Sequence, residues 1–287
     1  MKLTDDIFEI LKLKTTVYHY TTSKIALENI LPFDSMLMNQ LKNTNDPREY
    51  KRIYFFSTGW GDFEDPTDKI GQAIRRVDEI RINDFQMLSF SRNKDELYSK
   101  ASSIISQMSL LGCCKPRMWA QYGDNHQGIV FAFNSESLIN SIKSQLMLDN
   151  DIFAQNINYE PFDLKAQLTL NSNKILEENI DDYCMTFLLN QKDFIFFNKN
   201  PDFQDENEFR IILKSKNSDR ISISIKDSLL AVLIGDRFPD GLLPSLRFLC
   251  NQLGVDCKRI HWDGGRAEIW DCLPLDPKLY DTWKLKE

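Results

Sequence analysis

The segment Leu229–Gly235 (LLAVLIG) restricts the fold of this chain more than any other. A strand built from it is apolar on both faces, so it must sit inside a sheet with cover above and below. Gly128–Phe133 (GIVFAF) has the same character, and Ser135 after it can cap a helix to about Leu148. Strand, cap and helix in succession predict a mixed α/β fold.

The remaining pattern agrees. Thr15–Tyr20 reads as a β-branched and aromatic strand. Thr22 or Ser23 then caps a helix through Leu31, which Pro32 and Asp34 stop. Asn43–Arg48 (NTNDPR) has turn chemistry, and Gly59–Asp68 reads as a surface excursion. Phe85–Ser91 is strand-like and a polar helix follows it. The spacing over Ser172–Asn190 is helical, and Phe194–Phe197 leads into a strand over Glu206–Leu213. Gly241–Leu253 carries a helical pattern that Gly254 ends, and Lys258–Trp262 is a further strand. With 287 residues and no internal repeat or linker, the chain is read as one domain over 1–287, able to bury roughly 75% of its unfolded surface.

Charge and composition narrow the function classes. A net charge of -7 opposes sequence-independent nucleic-acid binding, which needs a basic footprint, although a local basic groove stays open. Met1–Asp6 places two acids where a signal peptide needs a basic end, and no apolar run reaches spanning length. The expectation is a cytoplasmic protein without a membrane partner. Six cysteines without a CxxC pair are expected to be reduced thiols. There is no GxGxxG, Walker loop, HExxH or GxSxG arrangement, and with three histidines no metal site is expected.

Three motifs carry side chains of chemical interest. In Glu206-Asn207-Glu208-Phe209-Arg210, a strand of period two puts Glu206, Glu208 and Arg210 on one face and Phe209, Ile211 and Leu213 toward the core. That face is either a solvated ion-pair surface or a pair of working carboxylates with an arginine. In Val17-Tyr18-His19-Tyr20-Thr21, His19 is either a sheet histidine or a polar ligand group. In Met118-Trp119-Ala120-Gln121-Tyr122, the two aromatics share a helical face, as core packing or as a stacking platform. Asp46, Arg48 and Glu49 are expected near the same cleft as Glu208.

In order, Tyr18-His19-Tyr20-Thr21, Asn45-Asp46-Pro47 with Glu49, Ser89-Phe90-Ser91, Met118-Trp119-Ala120 with Tyr122, His126 and Gly128, and Lys199, Phe203, Glu206, Glu208 and Arg210 resemble the family catalogued as domain of unknown function 2971. The resemblance covers about residues 17–235 and leaves 236–287 as a C-terminal helix and strand extension. That family looks related to the ADP-ribosyltransferases. The relation implies an α+β fold with a split mixed sheet flanked by helices, and cleavage of NAD, as substrate, at the nicotinamide bond. It also implies Glu208, Glu206 and His19 as catalytic groups, with His19, Tyr20, Thr21, Ser89, Ser91, Trp119, Tyr122 and Arg210 binding the nucleotide. The acceptor of the ADP-ribosyl group stays open, and a role in conflict or stress is implied. The reading from another class is a catalytically silent nucleotide-sensing or protein-interaction module.

Overall fold

The computed structural model describes residues 5–44, 46–62, 65, 67–100, 103–147, 151–161, 168–215 and 220–274. The fold is mixed α/β, with a mixed sheet and flanking helices. Its main strands are β1 Thr16–Thr21, β2 Phe85–Arg92, β3 Ile129–Asn134, β4 Ile152–Asn156, β5 Glu208–Lys214, β6 Leu229–Ile234, β7 Asp256–Asp263 and β8 Arg266–Asp271. The longer helices are α1 Lys69–Asn83, α2 Ser135–Leu146, α3 Ile180–Asn190 and α4 Leu243–Leu253. Two compact units form, one from Met1–Met36, Phe90–Met147 and Ser222–Glu287, the other from Leu37–Ser89 and Leu148–Ile221.

In the first unit the strand order is β8-β7-β6-β3-β1, followed by the last residues of β2. β6 and β7 run parallel, with Val232 opposite Cys257, and α4 makes the crossover between them. Gly254 ends α4 at φ 67°, a conformation that costs glycine little. β3 and β6 are interior strands, as their double-sided apolar character requires, and Ile129 to Phe133 are all fully buried. Thr22 caps the helical turns after β1 by accepting the Ile25 N–H. Leu11, Tyr18, Leu111, Trp119, Val130, Leu233 and Ile260 belong to the core.

In the second unit β4 and β5 pair antiparallel, with Gln155 opposite Arg210, and Asn39 pairs with Met87 of β2. Asp68 caps α1 by accepting the Ile70 and Gly71 N–H groups. The apolar stripe of α1 (Ala73, Ile74, Val77, Ile80) shares a core with Tyr183, Cys184 and Leu188 of α3 and with Phe85, Phe196 and Ile212.

Four local expectations change. Asn43–Arg48 is not wholly a turn, because Pro47 opens a short helix, Pro47–Tyr50, where a missing N–H costs nothing. Asn45 and the side chain of Arg48 lie outside the described residues. The helix over Ser172–Asn190 is two helices, Ser172–Glu177 and α3, since Asn179 leaves helical geometry to cap α3. Asn134, not Ser135, caps α2. Lastly, β5 begins only at Glu208. Glu206 closes a 3-10 turn, Pro201–Glu206, and Asn207 takes φ 45°, so period two does not reach Glu206. Among the described residues no helix is long and apolar enough to cross a membrane, and all six cysteines are free.

Candidate functional site

The second unit holds an alternating row of buried charges. Lys199 Nζ lies 2.7 Å from Glu206 Oε2 and 3.2 Å from Glu208 Oε2. Arg210 Nε donates to Glu208 Oε1 at 2.7 Å, and its Nη2 meets Glu49 Oε1 at 2.5 Å. The row therefore reads Glu206, Lys199, Glu208, Arg210, Glu49, with every member between 1% and 6% exposed.

Local folding explains how side chains so far apart in sequence meet. Asn200 caps the 3-10 turn by accepting the Asp202 N–H at 3.1 Å, and the left-handed Asn207 then redirects the chain into β5. The Glu208 N–H donates to the Tyr159 hydroxyl at 2.8 Å, and Arg210 Nη1 donates to the Phe196 carbonyl at 2.7 Å. The Lys199 N–H donates to the Asn158 carbonyl at 2.9 Å, and its ammonium sits 4.6 Å from the centre of the Phe203 ring. Glu49 is held from α1. The fully buried Arg81 donates to Asp78 at 2.9 Å, to the Glu49 carbonyl at 2.7 Å and to the Lys51 carbonyl at 2.8 Å.

Burial would raise the Glu208 carboxyl, but the Arg210 guanidinium and the Lys199 ammonium prevail. With hydrogen bonds from Arg210 and Ser89 they hold it at about 2. Burial likewise works against the charge on Lys199 and Arg210, and the neighbouring carboxylates overcome it, so both cations titrate above their usual range. Tyr159 is pushed up by burial. The site holds a carboxylate fixed in its charged form where little water reaches.

The residues singled out by sequence fall into two groups. Ser89, Glu206, Glu208, Arg210 and Glu49 lie in the second unit, and the Ser89 hydroxyl bonds to Glu208. The nearness expected of Glu49 to Glu208 is met through Arg210, and Asp46 is 2% exposed. His19, Tyr20, Thr21, Ser91, Trp119 and Tyr122 lie in the first unit. There His19 is half-buried with its ring edge-on to Phe90 at 5.8 Å, and Ser91 is buried and accepts from Lys115 Nζ at 2.8 Å. Tyr20 and Thr21 are buried, and the Tyr20 hydroxyl donates to the Gly112 carbonyl at 2.7 Å.

Two expectations are corrected here. Trp119 is fully buried, with its N–H on the Cys113 carbonyl at 2.8 Å and its ring edge-on to Tyr20 at 5.3 Å. A ring enclosed in this way has no free face for a nucleotide, so of the pair only the half-buried Tyr122 keeps an accessible part. The charged face of β5 is buried too, and Phe209 is less buried than Glu208 or Arg210. That reverses the solvated-face reading.

Sequence reasoning gave no role to Lys199, Arg81 or Tyr159. Arg81 had a signal, since it lies four residues beyond Val77 and seven beyond Ile74 and so places a cation on the apolar stripe of α1. Tyr159 had none. Among the described residues no group of three or more His, Cys, Asp or Glu is arranged to hold a metal ion.

Residues 118–211 match the model of a family described as a protein of unknown function, DUF2971. The matched span includes Trp119, Tyr122, Lys199, Glu206, Glu208 and Arg210, and it excludes His19, Glu49, Ser89 and Ser91. No curated protein and no solved structure matches the chain.

Proposed function

We propose that the chain consumes NAD and breaks its nicotinamide–ribose bond, as the ADP-ribosyltransferase resemblance of His19, Ser89 or Ser91, and Glu208 implies. The observation that carries this reading is Glu208, a carboxylate kept ionised by Arg210 and Lys199 in a site with little water, with the Ser89 hydroxyl bonded to it. Departure of nicotinamide leaves an oxocarbenium-like ribose, and fixed negative charge at low dielectric stabilises that cation most. In this reading Glu206 orients or deprotonates the acceptor. The chain would act in the cytoplasm as a toxin, defence or stress effector.

A second reading rests on the same contacts. Both Glu208 oxygens are already engaged, Oε1 by Arg210 and Oε2 by Lys199, as they would be in the structural network of a silent nucleotide-sensing or protein-interaction module. Glu208→Gln separates the two. Because Glu208 is buried between cations, either reading expects the variant to lose stability, so nicotinamide release is measured per folded molecule well below both melting temperatures. The enzyme reading expects release to fall by about 100-fold or more. Wild-type protein that neither binds NAD nor releases nicotinamide, with candidate acceptors present, leaves only the second reading.

A further inference from the structure

The functional reading leaves the cysteines of the first unit unused, and three of them meet. Cys257 lies on β7 and Cys272 just beyond β8, each one residue outside the last paired residues, Lys258 and Asp271. The Cys257 thiol donates to the Cys272 sulfur at 3.1 Å. Cys250 of α4 also bonds to Cys257. A disulfide needs the two sulfurs to close by about 1 Å, a movement that side chains at the open end of a hairpin can make without moving the backbone far. The other close pair, Cys113 and Cys114, is 3.8 Å apart, and as sequence neighbours these two would have to close a strained small ring.

We propose that Cys257 and Cys272 are a modification site, forming a reversible disulfide when the protein meets a hydroperoxide. Cys272 is the attacking sulfur. The hydrogen bond from Cys257 lowers its thiol below the usual range, burial opposes this, and the Arg259 and Arg247 guanidiniums add to the lowering. Hydrogen bonding to Cys250 and Cys272, together with burial, raises Cys257, which therefore serves as the resolving thiol. In the first step a Cys272 S–O bond forms as the peroxide O–O bond breaks, giving a sulfenic acid and an alcohol, or water from hydrogen peroxide. Cys257 then attacks that sulfur. The S–S bond forms, and the hydroxyl leaves as water with the Cys257 proton. The two thiols together lose two electrons, and the hydroperoxide takes them.

The bridge would tie the ends of the β7–β8 hairpin, so oxidation should raise the melting temperature rather than lower it. The test treats the reduced chain with one equivalent of hydrogen peroxide, then denatures it, alkylates it and maps its peptides by mass. Two of the six cysteines should escape alkylation, and a linked Cys257–Cys272 peptide should appear and be lost on adding dithiothreitol. Cys250→Ser should keep the linked peptide, and Cys272→Ser should abolish it. Six alkylated cysteines, a sulfinic acid with no linked peptide, or a linked peptide joining another pair would each overturn the proposal. The wild-type peptide map decides the matter even where a serine variant does not fold.

Discussion

Trp119 in the first unit and Arg210 in the second are both almost wholly buried, at 0% and 1% exposure, yet burial means opposite things for them. Trp119 carries one polar atom, its N–H, and the Cys113 carbonyl satisfies it; the rest of the indole packs in an apolar core. Arg210 carries a full charge that is tolerable there only because Glu208 and Glu49 stand against it. A buried aromatic in a motif is thus explained by packing alone. A buried row of charges costs desolvation at every member, and packing gives no reason to have one.

The largest test of this contrast is Arg210→Met. The substitution keeps volume but strands Glu208 and Glu49 without their shared cation. The unfolding free energy from denaturant titration should fall by about 3 to 5 kcal/mol. Adding Glu208→Gln to it should restore part of the loss, because the stranded charge goes with it. A loss well under 1 kcal/mol would mean that water screens the row, and the contrast with Trp119 would disappear.

Acid should act next most strongly. The Glu208 carboxyl sits at about 2 in the folded protein, against an ordinary value of 4.5. The unfolded chain therefore binds the extra proton first. This contribution is whole above about pH 4.5 and is lost as pH falls from there through about 2. Its size is roughly 3 kcal/mol, from the separation of the two values at about 1.4 kcal/mol per pH unit. Thermal melts across that window should fall more steeply for wild type than for Glu208→Gln, which has no proton to take up there. Parallel curves would show that Glu208 is not held below its ordinary value.

The same contrast explains what could be read in advance. β3 and β6 were legible because an apolar residue at every position has one home, inside a sheet, and α4 because Gly254 ends a helical stripe. The stripe of α1 was equally regular behind its Asp68 cap and could have been read, but the glycine and acids ahead of it suggest only surface. The alternating row could not be read. Lys199 meets Glu208 across nine residues only because a 3-10 turn ends on Asn207 at φ 45°, and Glu49 meets Arg210 only because a second buried arginine, Arg81, holds its backbone. Sequence spacing reports periodic structure. It reports nothing about a turn whose exit angle rests on one residue.

The smallest expected effect belongs to Trp119→Phe, and it bears on the other half of the comparison. Phenylalanine keeps an aromatic ring but removes the donor that bonds the Cys113 carbonyl, and it leaves the space of the lost ring atoms beside Gly123 and Gly235, which approach the indole closely. Stability should fall by about 1 to 3 kcal/mol from the lost bond and the residual cavity together. If Trp119 acts only through packing, nucleotide binding by the folded variant should match wild type. A stacking residue would behave the other way: phenylalanine presents a smaller face, so NAD affinity would drop while the melting temperature held. Measuring both on one preparation decides between them. Weaker binding at unchanged stability would require an opening of the first-unit core that exposes the indole, and it would move Trp119 back among the ligand-binding residues.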